Sequence, residues 1–355
     1  MTPRIGDEAL ELGGAADAFV TIGNVEDARN AVRVARSERL PICVLGGGSN
    51  VVIADDGVPG LTIHPAFTGI ELEKRGRHAR VTVAAGESWD GFVANTVDRN
   101  LAGVECLSGI PGSVGAAPIQ NIGAYGQDVA SVIDRVRVLD LSSLEQHWIT
   151  RDRCGFGYRT SVFRENPDRY LILAVSFRFE FEGRPQIGYS ELERALGAGR
   201  ASPTLSDVRQ AVLELRRSKS MVIEEGDLNR RSVGSFFVNP LVDSESLESL
   251  QRSGRESGWL GKTESVPVFP VSDGSCKVSA AWLIERAGFE KGLRRGSVGI
   301  STAHSLALVH HGGGTTEELI GLAREIRDGV RTETGIELVP EPVFLGFASA
   351  NPLDD

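Results

Sequence analysis

Several features that would steer this 355-residue chain toward export, metal chemistry or nucleic acid are missing or scarce. Only four cysteines occur, Cys43, Cys106, Cys154 and Cys276, and none forms a CxxC pair or stands at zinc-ligand spacing from a histidine. They read as reduced structural thiols, and no metal site is expected. No apolar run approaches the roughly 18 residues that cross a bilayer. The opening segment, Met1 to Leu12, is acidic and has no hydrophobic signal stretch, so a cytoplasmic protein without membrane association is expected. Basic side chains are outnumbered, with 38 Lys and Arg against 48 Asp and Glu, a net charge of −10. A nucleic-acid binder needs a basic face to displace counterions from phosphates, so that class is disfavoured. A small anionic ligand remains open, because a local cluster of Arg and Lys can outvote the global sign.

What is present is a chain able to build a packed core. Apolar residues make up 41% and charged residues 24%. At about 150 residues per domain the length fits two or three domains, and soft boundaries are placed near residues 75, 205 and 330. Glycine is the anomaly: there are 42, about 12% against a usual 7% or so, and many are clustered.

The N-terminal region reads strand, helix, strand. Phe19 to Ile22 is β-branched and apolar, Asn24 with Asp27 makes a partial capping box, and Ala28, Ala31, Val32 and Ala35 recur at helical spacing. Pro41 to Leu45 is the next strand. Val51 to Ala54, Leu61 to His64, Val81 to Ala84 and Val136 to Leu141 read as further strands, with a helix over Trp89 to Asn100. Phe177, Phe179 and Phe181 alternate with Arg178 and Glu180, the period-2 mark of a half-buried strand. Later, Ser206 is expected to open a helix ending in Arg216, Arg217 and Lys219, and Lys277 to Ala287 to form another. Thr315 and Glu318 cap a long helix that stops at Gly335, and a final strand is expected over Ile336 to Leu345. The pair His310-His311, followed by three glycines, reads as an exposed turn.

Two glycine-rich loops carry most of the functional signal. The first, Gly46-Gly47-Gly48-Ser49-Asn50, is not a dinucleotide fingerprint, since Val51 holds the place of the third glycine and a strand follows where a helix should. Successive glycines can instead converge their N–H groups into an anion-holding nest, with Ser49 and Asn50 adding donors. A tight turn between strands is the plain alternative, but it needs fewer glycines, so phosphate binding is preferred. The second stretch, Ser108 to Gly126, contains Gly109, Gly112, Ser113, Gly115 and Gly123 and almost no charge. Such a segment presses backbone against something flat or bulky, either a buried crossover or a ligand. Both loops together favour a ligand with phosphates and a planar ring. Gly261-Lys262-Thr263 imitates the end of a phosphate-binding P-loop, but Glu256 stands where its first glycine belongs, and no GxSxG occurs.

Three short strings place one reactive group each among aromatic or proline residues: Arg159 in Gly157 to Phe163, Ser235 in Val233 to Pro240, and Glu341 in Leu338 to Val343. Together such groups can stabilise and protonate a developing carbanion or enolate. Singly they read as a salt-bridge partner, a turn hydroxyl and a surface carboxylate.

The strings LGGGSNVVIADDGVPGLTI, LSGIPGSVGAAPIQNIGAYG, YRTSVF, SVGSFFVNP and VSAAWLIERAGFEKG, in this order, resemble the UDP-N-acetylenolpyruvoylglucosamine reductases (MurB) over nearly the whole chain. The resemblance implies an α+β fold with a PCMH/VAO-type two-subdomain FAD-binding unit and a third α+β substrate-binding domain. The first subdomain would be 1–75, completed by a C-terminal strand in 330–355, the second 76–205, and the substrate domain 206–329. It also implies non-covalent FAD, NADPH as hydride donor, a UDP-sugar substrate and a monomer active in peptidoglycan precursor synthesis. Gly46, Gly47, Gly48, Ser49 and Asn50 would hold the FAD pyrophosphate, and Gly109, Gly112, Ser113, Gly115 and Gly123 would wrap the flavin. By the same resemblance Ser235 is the proton donor, Arg159 and Glu341 polarise the substrate carboxylate, and Tyr158, Tyr189, Lys219, Asn239 and Lys277 bind substrate. Pro342 stands where the family string has valine, fixing the backbone just after Glu341. The competing readings are an FAD-dependent sugar or alcohol oxidase of the same fold, which would not need GSFFVNP, and a non-redox nucleotide-sugar transferase.

Overall fold

The computed structural model describes residues 9–197, 202–271 and 275–355. Most of the opening segment expected to lack an export signal lies outside the described residues. Contacts between residues divide the chain into two units. Unit 1 comprises Ala15–Gly48 and Val58–Ile223; unit 2 comprises Ser49–Gly57 and Glu224–Asp355, together with 9–14.

Unit 1 opens with the expected strand, helix and strand. Strand Ala16–Ile22 leads into helix Val25–Ser37, where the Asn24 side chain accepts from the Asp27 N–H at 2.9 Å. That bond satisfies one of the donors every helix start leaves without an intrahelical partner. Ala28, Val32 and Ala35 form the buried stripe. Strands Ala16–Ile22 and Ile42–Val44 flank Val58–Pro65, both parallel to it.

The larger sheet of unit 1 is antiparallel. Its order is Gln146–Thr150, Ile133–Asp140, Tyr170–Phe181, His78–Ala84 and Ile70–Arg75, with Leu101–Ala102 also paired to Tyr170–Phe181. Phe177 and Phe179 are buried while Arg178 and Glu180 are exposed, as the alternation predicts; Phe181, near the strand end, is half-buried. Phe92 of helix Trp89–Asp98 packs on Phe177 with ring centroids 4.8 Å apart. Ile70–Arg75, not singled out as a strand from the sequence, is an edge strand with every residue exposed. Its charges protect an open edge from pairing with another chain.

Helix Leu205–Ser218 belongs to unit 1, which runs to Ile223. Val208, Ala211 and Val212 bury the helix against Cys106 and Leu192. Its cap is Thr204, in a reciprocal capping box with Asp207, not Ser206.

Unit 2 holds an antiparallel sheet ordered Ser232–Ser235, Ala307–His310, Val298–Ile300 and Arg294–Arg295, and a smaller one ordered Leu241–Val242, Cys276–Val278 and Val268–Pro270. The expected helix over Lys277 to Ala287 is shorter, Ala280–Arg286. Cys276–Val278 extends as a strand before it, and Ser279 caps it by accepting from the Trp282 N–H. The long helix Thr316–Thr334 has the predicted box between Thr315 and Glu318 and ends at Gly335, whose φ of 71° is the left-handed conformation glycine adopts without strain. The final strand is only Val343–Leu345, pairing in parallel with Val51–Ile53. Prolines 340 and 342 lack the N–H that a longer ladder needs.

The histidine pair is not an exposed turn. His310 ends a strand, is 5% exposed, and has Leu10 O at 3.0 Å from Nδ1, while the Gly314 N–H donates to Nε2 at 3.0 Å. Both ring nitrogens are thereby engaged with main chain, one with Leu10 and the other with Gly314. His310 thus anchors the glycine loop from inside the unit.

Candidate active site

In unit 1 the two glycine-rich loops meet backbone to backbone. A Cβ on Gly47 would lie 3.3 Å from Gly112 Cα, and one on Gly46 would lie 3.1 Å from Ser113 Oγ. Gly48 and Gly112 take φ values of 68° and 107°, conformations that non-glycine residues rarely adopt. The second loop is fixed along its length. The Trp89 N–H donates to Gly112 O at 3.0 Å, Val114 to Glu87 O at 2.8 Å and Gly115 to Ala85 O at 2.8 Å. A Cβ on Gly115 would sit 2.6 Å from Ala85 Cβ, so only glycine permits this approach.

Asp90 fastens the same loop to helix Leu205–Ser218. It accepts from the Gly109 N–H at 2.6 Å and binds Arg209 through both oxygens, at 2.6 and 2.8 Å. Burial alone would raise its pKa, but the Arg209 and Gly109 hydrogen bonds win and hold it below the usual carboxylate range. Neither Asp90 nor Arg209 was identifiable from sequence, because 119 positions separate them and neither lies in a motif.

The string around Arg159 is stitched onto the far end of the second loop. Arg159 Nη2 donates to Gly123 O at 2.8 Å, Ser161 Oγ to Ile119 O at 2.5 Å, and Asn121 Nδ2 to Gly157 O at 3.0 Å. Arg159 itself takes a φ of 55°, and its guanidinium carbon lies 5.8 Å from the Tyr158 ring centroid. The structure thus brings Tyr158, Arg159 and Gly123 together, and gives Arg159 a definite job in holding loop backbone beyond any reading as a salt-bridge partner.

Tyr189 and Lys219 also share a cluster in unit 1. Tyr125, inside the second loop but not marked as a site residue from sequence, packs edge-to-face on Tyr189 with centroids 5.6 Å apart. Lys219 Nζ lies 5.8 Å from the Tyr125 ring centroid and 2.6 Å from Glu191 Oε2. Burial raises the Tyr125 phenol to about 12 and the Tyr189 phenol above its ordinary value, so both stay neutral hydrogen-bond donors near pH 7.

In unit 2, Ser235 is the last residue of strand Ser232–Ser235, half-buried, and paired with Ala307 across a register shift. Gly234 before it has a φ of 76°, and Phe236 and Phe237 after it are 0% and 1% exposed. Two buried rings on consecutive residues lock the segment, so the serine hydroxyl sits on a rigid support. Glu341 is not a surface carboxylate: it is 8% exposed, and its N–H donates to Phe236 O at 2.8 Å. Beside it, Val238 N–H donates to Val339 O at 3.0 Å, so the GSFFVNP and PEP strings run together. Asn50 clasps the other side: its O accepts from the Val343 N–H at 3.0 Å and its Nδ2 donates to Glu341 O at 3.4 Å. Pro342, which has no N–H to place, fits between these bonds. Asn239 Oδ1 accepts from the Ala280 N–H at 2.9 Å and so supports the start of helix Ala280–Arg286. Lys277 is half-buried in the neighbouring strand, paired with Leu241 and Phe269. Arg159, Tyr158, Tyr189 and Lys219 belong to unit 1, and Ser235, Glu341, Asn239 and Lys277 to unit 2.

Among the described residues no group of three or more His, Cys, Asp or Glu could hold a metal ion, and no helix is long and apolar enough to cross a membrane. A cradle of glycine backbone, sealed where Cβ atoms would collide and carrying the Ser113 hydroxyl at its edge, fits a bulky ligand with a diphosphate.

Comparison with known proteins agrees. Residues 16–144 match the FAD binding domain family, and residues 226–345 match the UDP-N-acetylenolpyruvoylglucosamine reductase C-terminal domain family. The chain is 46% identical over 341 residues to a UDP-N-acetylenolpyruvoylglucosamine reductase of Thermobifida fusca, covering 95% of each chain. It is 44% identical over 345 residues to one of Streptomyces coelicolor, covering 96% of this chain and 88% of that protein. The crystal structure of MurB from Thermus caldophilus superposes with a TM-score of 0.64 at 23% identity, covering 96% and 97% of the two chains, which shows the shared α+β fold.

Proposed function

The chain belongs to the UDP-N-acetylenolpyruvoylglucosamine reductase family, and we propose that it reduces UDP-N-acetylglucosamine enolpyruvate to UDP-N-acetylmuramate with FAD as cofactor and NADPH as hydride donor. The observation that carries this reading is the meeting of the two glycine-rich loops, Gly47 against Gly112, within a chain whose relatives bear that name. FAD, when bound, supplies the hydride chemistry. Main-chain N–H groups of Gly46, Gly47 and Gly48, with Ser49 and Asn50, are assigned to its diphosphate; Gly109, Gly112, Ser113, Gly115 and Gly123 are assigned to the ring and ribityl chain. Binding is non-covalent in this reading, since neither loop contains His or Cys.

The chain's own residues handle the substrate. Reducing the enolpyruvyl double bond adds a hydride at C3 and a proton at C2. Ser235 is assigned to deliver that proton, replaced in turn from solvent. A serine hydroxyl is a weak acid against water but adequate against so basic a carbon, and its rigid support keeps it aimed. Arg159 and Glu341 are assigned to the substrate carboxylate: the Arg159 guanidinium supplies the fixed positive charge and Glu341 a hydrogen bond, and together they stabilise the enolate character that develops. The burial of Glu341 supports this role, because a carboxyl shielded from water interacts more strongly with a bound ligand than an exposed one. Tyr158, Tyr189, Lys219, Asn239 and Lys277 are assigned to the UDP-sugar. NADPH and nucleotide sugars are cytoplasmic metabolites, so we propose a cytoplasmic enzyme of peptidoglycan precursor synthesis, acting as a monomer.

Anaerobic titration of the purified protein with NADPH, then with UDP-N-acetylglucosamine enolpyruvate, tests the assignment. Bleaching of a flavin spectrum by NADPH and its return on adding substrate is the expected result. Return only on admitting oxygen, with a simple sugar as reductant, would move the protein to the oxidases.

A further inference from the structure

The ion pair between Glu191 and Lys219 joins two helices of unit 1. Lys219 ends helix Leu205–Ser218 as its C-cap, and Glu191 lies in the first turn of helix Ser190–Leu196. Their Nζ–Oε2 distance is 2.6 Å, and each side chain keeps 29% of its surface exposed. Leu192, fully buried beside Val208 and Val212, pins the short helix so that the carboxylate next to it is held over the lysine. The Tyr125 ring, itself packed edge-to-face on Tyr189, has its centroid 5.8 Å from the same ammonium. Beside that ring the half-buried ammonium is balanced by the Glu191 carboxylate.

We infer that Glu191 is a built-in counter-ion that occupies Lys219 until a diphosphate displaces it, and so sets how tightly the protein holds phosphorylated uridine ligands. The inference rests on the proposed assignment of Lys219 to the UDP-sugar. An ammonium has three donors and could in principle serve two acceptors. A phosphate brought to Lys219, however, meets the Glu191 carboxylate at close range, and like charges at that distance repel. Ligand binding therefore works against an internal competitor of the same sign. Glu191 acts here as a positioning residue, through Lys219, and not on the reacting atoms.

The experiment is isothermal titration of the FAD-loaded protein with UDP and, separately, with uridine, for wild type, Glu191→Gln, Glu191→Ala, Lys219→Met and the double variant Glu191→Gln/Lys219→Met. Removing the carboxylate is expected to tighten UDP binding by about two- to five-fold, the scale of a partly exposed charge pair, and to leave uridine binding unchanged. Lys219→Met is expected to weaken UDP, and in that background Glu191→Gln should give no gain. A merely structural Glu191 would instead lower the melting temperature and alter UDP and uridine binding alike. If Lys219→Met weakens UDP but neither Glu191 variant tightens it, the counter-ion inference is overturned while the assignment of Lys219 stands. If Lys219→Met leaves UDP binding unchanged, the assignment of Lys219 fails and the inference with it.

Discussion

The N–H of Glu341 donates to the carbonyl of Phe236 at 2.8 Å, which ties the backbone of Glu341 to the neighbour of Ser235, the two residues proposed to act on the substrate from this unit. More than 100 positions of sequence separate them, yet one bridge between Phe237 and Pro340 and the bonds on either side fix their spacing. A site built this way is precise because the buried rings of Phe236 and Phe237 leave the segment no room to shift.

Ser235→Ala is expected to leave reduction of the flavin by NADPH nearly intact and to slow its reoxidation by substrate by about 10²- to 10⁴-fold, the usual contribution of a positioned acid. Stopped-flow measurement of the two half-reactions checks this. Equal slowing of both would remove Ser235 from the role of specific acid.

Glu341→Gln keeps the shape of the side chain and the backbone bonds to Phe236 and Asn50. The substrate half-reaction is expected to slow by at least about tenfold, with no change in the melting temperature beyond about 2 °C. Unchanged reoxidation would take Glu341 out of the chemistry.

Gly115→Ala places a Cβ 2.6 Å from Ala85 Cβ and 3.0 Å from Ala85 O, so backbone must move. A loss of about 1–3 kcal/mol in stability is expected, together with weaker retention of FAD on gel filtration. Gly47→Ala meets Gly112 Cα at 3.3 Å, a lesser intrusion. It should therefore weaken FAD with a smaller effect on unfolding. If Gly47→Ala destabilised more than Gly115→Ala, the cradle would be wrongly described.

Asp140 supplies a pH dependence that can be signed. The Ser142 hydroxyl at 2.5 Å, the Ser142 and Ser143 N–H groups and Arg169 hold its carboxyl well below the ordinary range. A folded-state pKa below the unfolded value, about 3.9, stabilises the protein at all pH values above that point. The contribution is lost as pH falls further toward the folded value. Asp140→Asn should therefore lower the melting temperature at pH 7 and show a narrowing gap from wild type below about pH 4. A gap independent of pH would show that the carboxylate charge is immaterial.

Burial raises the thiols of Cys43 to about 11 and of Cys106 and Cys154 to about 12. Since the thiolate is the nucleophile, these three should resist alkylation by iodoacetamide at pH 7.5 in the native protein and react once it is unfolded in urea. Mass spectrometry of the labelled peptides reads the outcome directly. Rapid native labelling of Cys106 would contradict its enclosure beneath helix Leu205–Ser218.

Local chemistry was legible in the sequence wherever it is self-contained. Asn24, the Thr315–Glu318 box and Gly335 act within one turn of helix, and the phenylalanine alternation reports a single sheet face, so each could be read without knowing what lies opposite. The glycine clusters announced close backbone approach for the same reason: no other residue tolerates it. What the sequence could not determine is which backbones approach. Gly47 meeting Gly112, Asp90 gripping Gly109 and Arg209 together, Asn50 clasping Glu341 and Glu191 covering Lys219 are contacts between distant segments, chosen by how sheets and helices pack. The same packing turned His310 from an apparent loop residue into a buried anchor and Glu341 from an apparent surface acid into a shielded one. Residue type set what each group is able to do; tertiary structure decided its neighbours, because burial and partner identity depend on chain that folds back from roughly 60 Å of contour away or more.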